Sequence, residues 1–121
     1  MKIAIPVKTD KENPAVSPLF GKAKWFAFIE DGKISIEKNE AGNGQAVIKW
    51  FNSKNIDTII FMEMGASPYE TIRANGDITL YHTGYERILL DEVLQKLKDQ
   101  TLATVDHSKM EEIIIQHKKN H

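Results

Sequence analysis

The chain has 121 residues, 16 Lys and Arg against 17 Asp and Glu, four His and no Cys. That length suits one domain with one sizeable core, and a formal charge of -1 gives no electrostatic basis for nucleic-acid binding. The absence of Cys excludes disulfide scaffolds, Cys nucleophiles, thiolate zinc sites and clusters held by the chain's own thiolates, so a metal would need His, Met, carboxylate or backbone oxygen.

In chain order, residues 2–7 form an apolar, β-branched run that predicts a buried strand. Residues 8–23 carry Pro14, Pro18 and Gly21 among charges, a long loop of the kind that is functional or mobile. Trp25 to Ile29 and Ile34 to Ile36 read as strands joined through Asp31-Gly32, a strong signal for a type I′ hairpin. After the loop Asn39 to Gly44, apolar spacing predicts a helix over Gln45 to Ser53, then a buried strand over Asp57 to Met62. Ser67-Pro68-Tyr69-Glu70 has the pattern of an N-capped helix start with Pro at its first position, and Asn75-Gly76 that of a stop. A strand over Ile78 to Tyr81 precedes a second capping box, Thr83 to Glu86, opening a helix with Tyr85, Leu89, Val93 and Leu97 on its apolar face. Residues 99–107 read as a connector, and Ser108 to Glu111 as a third capping box. The helix after it carries Met110, Ile113, Ile114, His117 and His121 on one stripe.

This order, β-β-β-α-β-α-β-α plus a C-terminal helix, predicts an α/β fold with a five-stranded mixed sheet and helices on both faces. Right-handed crossovers and the hairpin make strands one, three, four and five run the same way. The loops after these strands then share one rim, where ligands of open α/β sheets bind. Helix starts at Ser67 and Thr83 would direct backbone N–H groups there, favouring an anion. Gly42, Gly44, Gly65 and Gly84 permit close backbone approach, and Met62, Met64 and His82 supply soft or borderline ligating atoms. Taken singly, these residues have structural readings in turns, core and caps; their shared location is what singles them out.

Four stretches resemble the family of dinitrogenase iron-molybdenum cofactor biosynthesis domains: Met1 to Val7, Val16-Ser17-Pro18-Leu19-Phe20-Gly21-Lys22-Ala23, Met64-Gly65-Ala66-Ser67-Pro68-Tyr69, and Gly76 to Thr83. In order and spacing they cover residues 1–98, taken as one domain, with 99–121 a connector and helical tail outside the resemblance. The resemblance implies a ribonuclease H-like fold and non-covalent binding of an iron-sulfur or iron-molybdenum type cluster, or a related anion, by a small carrier that catalyses nothing. The cofactor-binding rim is expected to comprise Phe20, Gly21, Gly42, Asn43, Gly44, Met64, Gly65, Ala66, Ser67, His82, Thr83 and Gly84. Leu19 stands where family members often have His, and Ala41-Gly42-Asn43-Gly44 where many have Cys or His.

An alternative is a His-based divalent metal site using His117 and His121, four apart on a helix, completed by His82 or His107. Its competitor is a solvated, frayed basic end. Another is an interaction module, in which the tail stripe covers its own domain or a second subunit. An enzyme is not expected. Strand one has no acidic residue from Met1 to Thr9, Asp10, Glu63 and Glu70 lack the spacing of a two-metal nuclease, and no nucleophile elbow, phosphate loop or dinucleotide fingerprint occurs. The expected partners are the small cargo and cluster-assembly proteins, with no nucleic acid and no membrane. The N-terminus carries no secretory signal pattern, so a cytoplasmic protein is expected.

Overall fold

The computed structural model describes residues 1–120. The strands are β1 (Lys2–Val7), β2 (Trp25–Glu30), β3 (Lys33–Lys38), β4 (Thr58–Phe61), β5 (Thr79–His82) and β6 (Ala103–Thr104). The helices are α1 (Gly44–Ser53), α2 (Ala66–Asn75), α3 (Leu90–Lys98) and α4 (His107–Asn120). The strands form one mixed sheet in the order β3-β2-β1-β4-β5-β6. β1 is parallel to β4 and antiparallel to β2, and β4 is parallel to β5, so β1, β3, β4 and β5 share one direction as expected. The β2–β3 turn has Asp31 at φ 52° and Gly32 at φ 77°, the two positive values a type I′ turn requires.

Among the described residues the sheet has six strands and not five. Ala103 and Thr104, within the expected connector, pair antiparallel with His82 and Tyr81, and two residues are too few to show a strand period.

Side chains alternate between the two faces, as the pleat dictates. Ala4, Phe26, Phe28, Ile59 and Phe61 pack against Val47, Ile48 and Phe51 of α1, Tyr69 and Ile72 of α2, and Met110 and Ile113 of α4. Ile3, Ile5, Val7, Ala27, Ile29 and Ile60 pack against Leu90 and Val93 of α3. The tail stripe thus completes the chain's own core: Met110 is 0% and Ile113 1% exposed.

Three helix starts differ from expectation. Thr83 to Glu86 opens no helix: Gly84 sits at φ +84°, outside the helical range, and the following segment is held extended by the loop before it. Val16 N–H donates to Ile88 O, and Leu90 N–H to Pro14 O, each at 2.9 Å. α3 begins only at Leu90, where Glu92 Oε1 accepts from Leu89 N–H at 3.2 Å, and Tyr85 is exposed. The first turn of α2 starts earlier than expected, with Gly65 as its cap and Ser67 and Pro68 inside the helix. Pro is tolerated throughout a first turn because those N–H groups have no intrahelical acceptor, so Ser-Pro-x-Glu does not fix the phase. α4 is capped by Asp106, whose Oδ1 accepts from Lys109 N–H at 2.8 Å, and not by Ser108.

Candidate functional site

The loop from Lys8 to Lys24 is fastened along its length. Ser17 N–H donates to Pro6 O at 2.8 Å, Glu63 N–H to Pro18 O at 3.1 Å, and Leu19 lies in a parallel bridge with Glu63. Phe20 is thereby pinned under the carboxyl rim, edge-on to Phe26 and Phe51 with ring centroids 5.5 and 5.8 Å away. Asn39 ties the neighbouring loop to it. Its Nδ2 donates to Ala23 O at 2.9 Å while its Oδ1 accepts from Ala41 N–H at 3.0 Å. The Asn43 side chain then caps α1, accepting from Ala46 N–H at 2.9 Å.

Glycine lets these pieces meet. A Cβ on Gly21 would lie 3.1 Å from the Gly44 Cα, and one on Gly44 only 2.9 Å from the Pro68 ring. No real Cβ makes the second contact, so α1 and α2 approach at this point only because residue 44 has no side chain. Gly44→Ala is expected to destabilise the fold by about 1–3 kcal/mol through overpacking. Urea unfolding measures this, and a loss within experimental error would show that the α1–α2 contact yields freely.

Between the pieces lies a cavity of about 290 Å³ lined by Leu19, Phe20, Gly21, Lys22, Gly42, Asn43, Gly44, Met64, Gly65, Pro68 and His117. Of the expected rim residues, it brings together Phe20, Gly21, Gly42, Asn43, Gly44, Met64 and Gly65. Ala66 and Ser67 form the first turn of α2 behind Gly65, a helix end without a side-chain cap. Two helix N-termini do converge, but the second belongs to α1 and not to Thr83. Lys22 brings a positive charge, and its place beside Gly21 in the sequence was the available signal for it. Asn39 gave no such signal, because its partners are set by the meeting of two loops.

His82, Thr83 and Gly84 are not in the cavity lining. His82 is turned into the core, 6% exposed, with Nε2 2.8 Å from Met62 O and its ring against Phe61 and Tyr85. Burial lowers its pKa, the Met62 hydrogen bond opposes this, and the Lys109 charge adds to the lowering. The folded state therefore favours the neutral ring. The stabilisation this carries is present above the unfolded value near 6.5 and is lost as pH falls through the lower folded value. His82→Gln should flatten the decline in stability between pH 7.5 and 5.5, roughly one unit either side of that value. Urea midpoints of both proteins at the two pH values check this; parallel declines would contradict it.

His117 stands 54 positions from Glu63 in sequence, yet its Nδ1 lies 3.3 Å from Glu63 Oε1. A Cβ on Gly65 would be 3.5 Å from its Nε2. His121 lies outside the described residues. His107 is elsewhere, stacked on Tyr69 with its Nδ1 2.9 Å from the Tyr69 hydroxyl. Among the described residues no group of three or more His, Cys, Asp or Glu is arranged to hold a metal ion, and no helix is long and apolar enough to cross a membrane.

A larger groove, about 630 Å³, lies at the opposite end of the sheet around Lys2, Phe28, Glu30, Glu37 and Lys54. Its charges answer one another: Lys54 Nζ is 2.7 Å from Glu37 and 4.7 Å from the Phe28 ring centroid, and Lys2 Nζ is 3.6 Å from Glu30. It holds no convergence of helix starts, so the smaller cavity is the better candidate.

Fold and cavity together define a small α/β protein with a glycine-lined cavity at the carboxyl rim of a mixed sheet. The chain belongs to the dinitrogenase iron-molybdenum cofactor family, whose profile matches residues 1–100. Solved structures share the fold. A NifB-like Thermotoga protein of the DUF35 family is 23% identical, with a TM-score of 0.72 over 85% of this chain and 91% of its own. The apo form of the orange protein from Desulfovibrio gigas is 16% identical, with a TM-score of 0.71 over 86% and 92%. A dinitrogenase-like protein from Methanocaldococcus jannaschii is 21% identical, with a TM-score of 0.63 over 88% and 95%. No curated protein matches the chain in sequence.

Proposed function

We propose that the protein is a non-catalytic carrier that holds a small anionic, metal-containing cargo of the iron-sulfur or iron-molybdenum type in the 290 Å³ cavity. The observation carrying this reading is the convergence of the α1 and α2 N-termini with Lys22 around backbone kept bare by glycine. Helix N-termini present N–H groups and partial positive charge to an anion. With a whole-chain charge of -1, the attraction must be local. A cluster so held keeps exchangeable ligands, which suits delivery to a further protein, and Met64 adds a soft, polarisable wall. Family membership supports the same class of cargo and cluster-assembly proteins as partners. The sheet order 3-2-1-4-5, with β2 reversed, supports the ribonuclease H-like class. This reading takes the carrier to be cytoplasmic, and the tail stripe, packed in its own core, does not require a second subunit to cover it.

Titration with molybdate as a stand-in for the anionic cargo, followed by amide NMR, should move the resonances of residues 42–44 and 65–67. A spectrum unchanged at millimolar molybdate would contradict the reading.

A further inference from the structure

β3 (Lys33–Lys38) ends the sheet on one side, and among the described residues no strand pairs with its outer edge. The edge strand on the other side, β6, has only two residues. β3 has six, contains no proline and keeps unbroken register with β2 from Lys33 to Lys38. A regular edge of this kind offers a row of N–H and C=O groups to another strand. The ladder's phase fixes which residues supply them. Asn39 N–H donates to Lys24 O at 2.8 Å, and hydrogen-bonded pairs alternate along an antiparallel ladder, so Glu37, Ser35 and Lys33 bond inward to β2. Ile34, Ile36 and Lys38 therefore turn their backbone groups outward. The side chains of Ile34 and Ile36 share the α3 face, where they line a groove of about 540 Å³ with Leu90 and Leu94. Ile34 is 50% exposed there, a large apolar side chain beside an open ladder.

We infer that the β3 edge is a self-association surface, on which a second copy of this chain pairs its own β3 antiparallel about a two-fold axis at Ser35. In that register Ile34 of each copy lies opposite Ile36 of the other, the outward-facing residues that can exchange both backbone bonds. Lys33 of each copy lies opposite Glu37 of the other, on the face away from α3. These are non-hydrogen-bonded positions, where facing side chains come closest and opposite charges attract. Charge complementarity selects this register alone. Sliding one strand by two residues sets Ser35 opposite Lys33 or Glu37 and loses both ion pairs. Sliding it by four sets Lys33 against Lys33 or Glu37 against Glu37. Each chain has a single long edge, so the two-fold pairing uses it up in both copies and closes at a dimer. A net charge of -1 offers little long-range repulsion between copies. Antiparallel pairing turns the two carboxyl rims to opposite ends of the joined sheet, so both cavities stay open and association is independent of cargo.

Sedimentation equilibrium of the full chain, from micromolar to millimolar concentration, is expected to show a reversible monomer–dimer equilibrium. Lys33→Glu and Glu37→Lys each set like charges opposite one another and should weaken it about tenfold. An equimolar mixture of the two variants sets every acid opposite a base and should associate as strongly as the unaltered protein, which also shows that both variants fold. Amide hydrogen exchange in the unaltered protein gives a readout free of any substitution. Protection of Ile34 and Ile36 should rise with protein concentration, while that of Ser35 and Glu37, already bonded to β2, should not. A chain that stays monomeric at millimolar concentration overturns the inference and leaves the edge to a foreign strand. So does a dimer indifferent to both substitutions, a mixture no stronger than either variant alone, or Ile34 and Ile36 protection that ignores concentration.

Discussion

Phe51→Ala is expected to lower the unfolding free energy by about 3–5 kcal/mol, the largest single-residue effect predicted for this chain. Phe51 is 0% exposed, and its ring centroid lies 5.8 Å from Phe20, 5.0 Å from Phe26 and 5.7 Å from Phe28, each near perpendicular. Truncation removes the buried ring surface and leaves a void that its stiff neighbours on β2 cannot fill by rotating. It also removes one of the two rings against which Phe20 stands, so the wall of the cavity loosens with the core. Urea unfolding measures the first effect. A loss under about 1 kcal/mol would mean that the α1 face collapses onto the sheet freely, contrary to the dense packing of this core.

Met110→Ala is expected to cost about 2–5 kcal/mol, a large effect for a residue in a helical tail. Met110 is 0% exposed and belongs to the same cluster as Phe61 and Tyr69. Ile115, on the outer side of α4, is 55% exposed, and Ile115→Ala should stay within about 0.5 kcal/mol. The contrast separates docking from helix propensity, because both changes lie on one helix and both yield Ala. Hydrogen exchange should show faster opening of α4 in Met110→Ala than in Ile115→Ala. Equal exchange would place the hold on α4 elsewhere, in the Tyr69–His107 contact or the Asp106 cap.

What could be read from the sequence follows the range over which each feature is decided. Asp31-Gly32 specifies its turn through its own backbone preferences, and the hairpin forms as expected. The alternation of Ile3, Ala4 and Ile5, and of Phe26, Ala27 and Phe28, assigns strand faces for the same local reason. Thr83 to Glu86 carries a good local helix-start pattern, but contacts from Asn13 to Val16, some 70 positions earlier, hold the approach to Leu90 extended, and Asp91 N–H finds its acceptor in Asn13 Oδ1 at 2.9 Å. β6 is not legible in the sequence because two residues have no period. The Gly-rich half of the cavity was legible as loops sharing a rim. The Glu63–His117 pair was not, because no spacing rule links residues that meet only once α4 has docked.

Cargo binding in the rim cavity is tested most directly by an anomalous difference map, recorded at the iron absorption edge, from crystals of the full chain carrying a bound iron-sulfur cluster. The strongest peak is expected inside the cavity bounded by Phe20, Gly21, Gly44, Met64 and Gly65. A strongest peak in the groove beside Lys2, Glu30 and Lys54, or a cavity without iron in crystals whose protein carries cluster, would contradict it.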